Sequence, residues 1–124
     1  MDDLMLCESL FRAFTTADPD LARTLCQPDL RARQNGGPWM DLDALLTFSA
    51  AVSAAVTDFR YENPVRSATA DGFVEEHDVC ATLPDGSALR LPACVVARVR
   101  DGRIAELREY LDSRAATGLL KALA

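Results

Sequence analysis

The sequence lacks the patterns that mark several large classes of protein. No apolar run approaches the roughly 18 residues that a membrane-spanning helix requires, and no glycine-rich phosphate loop is present. Lysine and arginine together number 13 against 19 aspartates and glutamates, giving a net charge of −6. No basic stripe stands out to neutralise a nucleic-acid backbone. These absences predict no nucleic-acid partner, no membrane partner and no cofactor.

Histidine and cysteine are also scarce, which limits metal and redox chemistry. The chain has one histidine and four cysteines (Cys7, Cys26, Cys80 and Cys94), and no CxxC pair. The cysteines fall inside apolar patterns, where a free thiol packs as a small hydrophobic group, and a zinc site would need more soft ligands. The N-terminus, Met1-Asp2-Asp3, is acidic where a signal peptide would be basic. We therefore expect reduced thiols, no metal and a cytoplasmic protein.

What the sequence does contain is the composition of a folded domain. Hydrophobic residues make up 49% of the 124 residues and charged residues 26%, which is the balance of a globular protein rather than a disordered one. This length closes one hydrophobic core without splitting. We expect a single domain over residues 1–124.

Helical periodicity occurs in four segments. Apolar residues recur at helical spacing over residues 4–14, after two aspartates that can cap a first turn, and Asp18-Pro19 begins a short second helix that ends by Pro28. Asp41 caps a third helix, whose apolar face continues to Phe59. Ser113 is the predicted cap of a last helix that ends near Leu123.

Strand patterns dominate the second half of the chain. Residues 30–34 predict a brief strand, and β-branched and aromatic residues become frequent from residue 59 onward. Three hairpin signals divide this region, namely Asp71-Gly72, Pro84-Asp85-Gly86 and Asp101-Gly102. The pattern predicts a meander of four strands, and Pro64 places the first of them at an edge or a bulge. The fold class is therefore α+β.

Two assumed turns give this meander a register. A two-residue turn at Asp85-Gly86 places Asp78 opposite Ala93, and a three-residue turn that ends at Gly102 places Glu109 opposite Ala93 from the other side. Asp78 and Glu109 then lie about 10 Å apart between Cα atoms. Carboxyl groups on an apolar face have raised pKa values and can act as a general acid and a general base. We predict Asp78 and Glu109 as the catalytic residues.

The same register divides the sheet into an apolar face and a polar face. Trp39, on the loop before the third helix, is a further candidate for the pocket, with core packing as the alternative. His77 is predicted on the opposite face beside Cys94, in a packing or interface role. Residues 92–97 are apolar on both faces, which predicts a homodimer that covers the outer one. The predicted pocket on the apolar face includes Glu76, Cys80, Leu91, Ala93, Val95, Leu107 and Leu111.

The order of elements and the last strand resemble a known family. The chain closes on Asp101-Gly102-Arg103-Ile104 and then on the run Leu107-Arg108-Glu109-Tyr110-Leu111-Asp112, which resembles the SnoaL-like branch of the nuclear-transport-factor-2-like superfamily. The resemblance implies a cone-shaped, cystatin-like fold, in which a curved mixed or antiparallel sheet wraps around three N-terminal helices. It also implies an internal pocket for a small organic molecule and a homodimer.

Within that superfamily, residues 73–112 resemble limonene epoxide hydrolase. That enzyme has an Arg-x-Asp pattern on the first of these strands and a second acid before the tyrosine of the last. Asp78 and Glu109 correspond to the two acids, which the resemblance implies act as general base on water and general acid on the epoxide. Glu76 stands where the family has arginine. Ala32 and Gln34 stand near the family's water-holding tyrosine and asparagine, which adds Gln34 to the predicted pocket.

Two functional hypotheses follow. The first is an acid/base enzyme, an isomerase, cyclase or epoxide-type hydrolase, that acts on a small apolar organic substrate through Asp78 and Glu109. The second is a non-catalytic ligand-binding or dimerisation domain with the same pocket. Acids on an apolar face favour the first hypothesis, and the missing arginine and tyrosine partners favour the second.

Overall fold

Aspartate caps begin three of the four helices in the computed structural model, which describes all 124 residues. The carboxylates of Asp2, Asp18 and Asp41 accept hydrogen bonds from backbone amides three residues on, at 2.8–3.0 Å. Because the first amides of a helix have no backbone partner, these caps fix where each helix starts. The helices are α1 (Asp3–Thr15), α2 (Pro19–Leu25), α3 (Leu42–Ala55) and α4 (Thr117–Leu123). None of them is both long enough and apolar enough to cross a membrane.

Six strands form one open, mixed sheet. They are β1 (Cys26–Gln34), β2 (Met40–Asp41), β3 (Thr57–Ala68), β4 (Gly72–Thr82), β5 (Ala88–Arg100) and β6 (Arg103–Leu111). Their order across the sheet is β2-β1-β6-β5-β4-β3. β1 and β6 run parallel, and every other neighbouring pair is antiparallel. The predicted α+β class and the four-strand meander are confirmed.

Element boundaries differ from the prediction at three places. α3 ends at Ala55 and β3 begins at Thr57, so Phe59 belongs to the strand and not to the helix. α2 ends at Leu25 rather than at Pro28, because β1 begins directly at Cys26. Ser113 does not cap α4, whose N-cap is Ala116 with no side-chain hydrogen bond. At each place, pairing in the sheet or tertiary packing outweighs the local signal.

The predicted register between β4 and β5 is wrong by one residue. The connecting loop spans residues 83–87, with Thr82 paired to Ala88, because the Asp85 carboxylate accepts the Ser87 amide and hydroxyl at 2.9 and 2.6 Å and widens the turn. Asp78 therefore lies opposite Pro92. A shift of one residue reverses which side chains face the core. The inner face of β4 carries Phe73, Glu75, His77, Val79 and Ala81.

The pairing of β5 with β6 keeps the predicted faces but changes the partners. The turn has two residues, Asp101 and Gly102, both with positive φ (52° and 76°). A bulge between Arg98 and Val99 adds one further residue of shift. Two single-residue shifts cancel in their effect on facing, so Glu109 still points inward, but it lies opposite Val95 rather than Ala93.

The interior contains two groups of buried apolar side chains. One lies between α1, α2 and the sheet and includes Leu6, Leu10 and Phe73. The other lies among α3, α4, β4 and β5 and includes Leu91 and Leu119. Side chains of both groups border a cavity between the helices and the inner face of the sheet.

Candidate functional site

The cavity has a volume of about 280 Å³, and 19 of the 25 residues that line it are hydrophobic. A cavity of this size and composition suits a small apolar molecule. Its polar side chains are few, which makes each of them a candidate for orienting or transforming a ligand. The six polar or charged residues at its surface are Arg33, Gln34, Asn35, Ser49, Glu109 and Ser113, and Tyr61, counted among the hydrophobic ones, adds a hydroxyl group.

Glu109 is the carboxyl group of the cavity. It extends from β6, and the Gln34 side chain on the neighbouring strand β1 donates a hydrogen bond to its Oε1 at 2.6 Å. Burial raises the pKa of Glu109, and the hydrogen bond from Gln34 opposes this shift only in part. The carboxyl group therefore holds its proton to higher pH than an exposed glutamate does, and it can donate that proton in an apolar site.

Tyr61 places a phenol at the cavity wall. Its ring packs against those of Phe11, Phe59 and His77, with centroids 5.1, 5.3 and 4.4 Å apart. Burial raises the pKa of Tyr61, and the charges of Glu109 and Glu75 add to this effect. The phenol therefore stays protonated and is a hydrogen-bond donor for an oxygen atom of a ligand.

A second cluster of polar groups lies buried beside the cavity. On β4, the Glu75 Oε2 and His77 Nδ1 atoms are 2.6 Å apart, and the two side chains are 1% and 0% exposed. Arg66 Nε donates to Glu75 Oε1 at 2.8 Å, and the Cys7 thiol donates to the same oxygen at 3.6 Å. His77 Nε2 is buried without a hydrogen-bond partner. The Glu75 carboxylate is therefore the hydrogen-bond partner of three side chains, those of His77, Arg66 and Cys7.

The charge of this cluster is set by its hydrogen bonds. Burial pushes the pKa of Glu75 upward, but the hydrogen bonds from His77 and Arg66 outweigh burial and leave the pKa lowered. Burial, followed by the charge of Glu75, raises the pKa of the Cys7 thiol to about 12. Cys7 is therefore a hydrogen-bond donor rather than a nucleophile. No group of three or more His, Cys, Asp or Glu side chains is arranged to hold a metal ion.

The structure does not bring Asp78 and Glu109 together. Asp78 lies on the outer face of the sheet, where its carboxylate accepts hydrogen bonds from Arg90 and Asn63 at 3.1 Å each. Glu76 is exposed on the same outer face. Cys80 shares this face and is covered by its neighbours, with its thiol directed to the Asp78 carbonyl. The predicted positions of these residues in the pocket are wrong because the register shift turns them outward.

The other predicted pocket residues divide into two groups. Trp39 does not border the cavity, because its ring stacks with the guanidinium groups of Arg31 and Arg33, each 4.2 Å from the centroid. Ala93 faces inward but is buried among apolar side chains without reaching the cavity. The structure places the remaining ones at the cavity surface, and they are Gln34, Leu91, Val95, Leu107 and Leu111, together with Glu109.

The sequence interpretation assigned His77 to the outer face and gave no role to Glu75 or Tyr61. The sequence pattern of β4 does not show which face is buried, since each of its two faces carries both apolar and acidic residues. Phe73 was the available signal, because the largest apolar side chain of the strand shares a face with Glu75 and His77 and is 0% exposed. Weighting that residue above the turn type would have given the correct facing.

The helices and the open sheet together enclose an apolar cavity. This is the architecture of cone-shaped α+β proteins with an internal pocket for a small molecule. The chain belongs to the SnoaL-like domain family, whose model matches residues 7–107. This confirms the resemblance to the SnoaL-like and nuclear-transport-factor-2-like superfamily. No curated protein sequence matches the chain.

Solved structures share the fold over nearly the whole chain. IdmH from Streptomyces antibioticus, a proposed polyketide cyclase, is 21% identical with a TM-score of 0.84, over 99% of both chains. An LEH-like epoxide hydrolase from M. tuberculosis is 20% identical with a TM-score of 0.73, over 96% of this chain and 90% of that one. A ketosteroid isomerase-like protein from Catenulispora acidiphila, in complex with trimethylamine, is 16% identical with a TM-score of 0.74, over 85% and 83%.

Proposed function

We propose that this protein is an acid/base enzyme, an isomerase, cyclase or epoxide-type hydrolase, that moves protons on a small apolar organic molecule. The observation that carries the proposal is the Glu109 carboxyl group, which lies in a largely apolar cavity with Gln34 as its hydrogen-bond partner. Proton transfer of this kind needs no cofactor, because the carboxyl group itself carries the proton. The likeness in fold to a proposed polyketide cyclase and to an epoxide hydrolase supports the same class.

The arrangement assigns a role to each polar group. Glu109 donates or accepts the proton, and its Oε2 atom is the free one because Oε1 is bound to Gln34. The Tyr61 hydroxyl donates a hydrogen bond to the oxygen atom of the substrate, on which negative charge develops. The hydrophobic lining excludes water, which strengthens both interactions.

The experiment uses 2-tetralone, a small neutral bicyclic ketone with an acidic C–H beside its carbonyl group. Incubation in D₂O, followed by NMR, measures exchange of that hydrogen, and hydrolysis of styrene oxide is measured in parallel. We expect the protein to accelerate one of the two reactions, and Glu109→Gln to lower the rate on the order of 10²-fold or more. The matched control is Asp78→Asn, since Asp78 faces away from the cavity and its loss leaves the rate unchanged. Equal rates for wild type and Glu109→Gln would refute the proposal.

A second candidate function is a non-catalytic ligand-binding domain. It is favoured by one observation, that Glu109 is the only carboxylate among the residues lining the cavity. The same experiment separates the two functions. Saturable binding of 2-tetralone without exchange or hydrolysis supports the binding domain.

We further propose that a second copy of the chain covers the outer face of the sheet. Apolar side chains are exposed on this face, among them Val65 on the edge strand β3, which is 64% exposed, and Tyr110 on β6, which is 46% exposed. One end is basic, because Arg31 and Arg108 share the single carboxylate of Glu106. The other end is acidic, with Glu62, Glu76 and Asp78 against Arg60 and Arg90. A twofold axis through the centre pairs the opposite ends, as an isologous interface requires.

A further inference from the structure

Two buried side-chain nitrogens, His77 Nε2 and Arg33 Nε, have no hydrogen-bond partner, and the one in His77 belongs to a fully buried side chain. A buried polar atom without a hydrogen bond is destabilising, so cores seldom retain one. Here the imidazole is 0% exposed and its Nε2 atom has no partner. An apolar side chain of similar size would avoid that cost. The retained imidazole therefore points to a ligand-directed role.

Glu75 determines which nitrogen of the imidazole carries a proton. With its pKa lowered, Glu75 is ionised and can only accept hydrogen bonds. Nδ1 must therefore be the protonated nitrogen in the 2.6 Å contact. Arg66 keeps the carboxylate ionised by donating to its other oxygen. In the neutral imidazole, Nε2 then has a free lone pair, which a general base requires.

The imidazole lies next to the cavity. Phe11 and Tyr61, whose rings are 4.9 and 4.4 Å from it, both line the cavity. Val79, two residues along the same face of β4, lines it too. His77 itself is not among the residues that line the cavity, and Tyr61 is a shared neighbour of the imidazole and the cavity.

Glu109 lies two strands away from β4, on the same inner face of the sheet. Glu75 and Glu109 are both paired with Val95, which places their Cα atoms about 10 Å apart across two strand spacings. His77 is the next inward residue after Glu75. Glu109 accepts a hydrogen bond from Gln34 at Oε1, which leaves Oε2 without a partner. His77 is hydrogen-bonded to Glu75 through Nδ1, which leaves Nε2 without one.

We infer that His77 is a second proton-transfer residue of this pocket, with Glu75 and Arg66 as its positioning residues, and that it works as the base opposite Glu109. This inference rests on the proposed function. The charged or titratable groups around the imidazole and its Glu75 partner are Cys7 from α1, Tyr61 and Arg66 from β3, Glu75 from β4 and Glu109 from β6.

His77 and Glu109 together supply and accept every proton that the reaction moves. Nε2 takes a proton from a carbon atom beside the carbonyl group of the substrate, and the carboxyl group of Glu109 gives its proton to the carbonyl oxygen. The products are an enol, an imidazolium and a carboxylate. In the second half, the enol returns its proton to Glu109, and the imidazolium delivers its proton to carbon. Delivery to a different carbon makes the reaction an isomerisation, and both residues regain their starting states.

The first test needs no variant, because His77 is the only histidine and its ring signals are unambiguous. The protein is labelled with ¹⁵N in the imidazole, and long-range ¹H–¹⁵N NMR reports which nitrogen carries the proton. We expect protonated Nδ1 and unprotonated Nε2, and a shift of the Nε2 signal on addition of 2-tetralone. Glu75→Gln should change the tautomer, whereas Asp78→Asn should leave it unchanged. A protonated Nε2 in the free protein, or an Nε2 signal that 2-tetralone does not move, contradicts the inference.

The second test measures catalysis. In exchange of 2-tetralone, His77→Gln should lower kcat on the order of 10²-fold with little change in KM, and one limb of the pH–rate profile should disappear. A His77→Gln variant that is folded by circular dichroism and retains kcat and both limbs overturns the inference. If Glu109→Gln abolishes exchange and His77→Gln does not, only the role of His77 fails. If Glu109→Gln has no effect, the proposed function fails, and the NMR test still decides whether Nε2 meets the ligand.

Discussion

Two carboxyl groups on the inner face, those of Glu109 and Glu75, show how hydrogen-bond partners decide the direction of a pKa shift. Glu109 has an amide as its partner, so burial dominates and its pKa rises. Glu75, which holds His77, has a guanidinium and an imidazole as partners, so its pKa falls although its side chain is almost fully buried. The hydrogen-bond partners of the two carboxyl groups therefore shift their pKa values in opposite directions within one interior.

The raised pKa of Glu109 makes stability depend on pH in a known direction. A carboxyl group whose pKa is higher in the folded state contributes stability that is complete below its unfolded pKa, and this contribution is lost as pH rises through the folded pKa. Glu109→Gln removes the ionisation. We expect the variant and the wild type to melt at similar temperatures near pH 4, and the variant to melt at a higher temperature near pH 8.

Thermal unfolding followed by circular dichroism measures this difference at both pH values. Asp20→Asn is the matched control, since Asp20 is exposed on α2 and should show the same difference from wild type at both pH values. A Glu109→Gln variant whose melting temperature never exceeds that of the wild type at high pH contradicts the assigned environment of Glu109.

The strand β4 and its two connections decide the contents of the pocket. The five-residue loop after β4 gives the pairing with β5 that turns Glu75 and His77 inward and Asp78 outward. At its other end β4 begins with Gly72, which is buried against the backbone of β5 at Ala97. This close approach leaves no room for a side chain, so glycine at this position supports the pairing of the two strands.

Gly72→Ala tests that role. A Cβ atom at this position would collide with the Ala97 carbonyl, which is backbone and cannot rotate away. We expect a loss of about 1–3 kcal/mol in the free energy of unfolding, in the range of overpacked interiors, measured by urea denaturation. Ser67→Ala, an exposed change on β3 beside the start of β4, is the control and should be nearly neutral. A Gly72→Ala variant as stable as wild type would show that β4 can move away from β5 without cost.

At the scale of the whole molecule, the outer face of the sheet is the surface that the fold leaves uncovered by helices. If a second copy covers it, the solution mass should be twice the chain mass of 13.5 kDa. Val96 is paired with Val74 on β4 and with Arg108 on β6, near the centre of this face. A lysine there would be buried in the dimer beside the like charge of Arg108.

We therefore expect Val96→Lys to yield a folded monomer in sedimentation equilibrium, while the wild type is a dimer. Ala54→Glu, an exposed substitution on α3 far from the sheet's outer face, is the control and should remain dimeric. A wild-type protein that sediments as a monomer at the highest concentration used would exclude the proposed dimer.

The sequence by itself determined the class of the fold and the facing of two strands. Aspartates at positions 2, 18 and 41, followed by helical periodicity, were sufficient to start three helices, because capping is a local interaction. Alternation along β5 and β6 was sufficient to place Glu109 inward, because their two register shifts cancel. The family was visible in the last strand for the same reason, since its pattern is contiguous in the chain.

Only the tertiary structure decided which side chains stand opposite Glu109. That choice depended on whether the loop after β4 has two residues or five, and the hydrogen bonds of Asp85 to Ser87 that settle it involve only a few atoms. Because the side-chain period of a strand is two, a change of one residue in the register turns Asp78 out of the interior and turns Glu75 and His77 into it. The contacts that then hold His77 come from α1 and β3. Residues so far apart in the chain meet only when the sheet folds over the helices, so no local pattern could identify them.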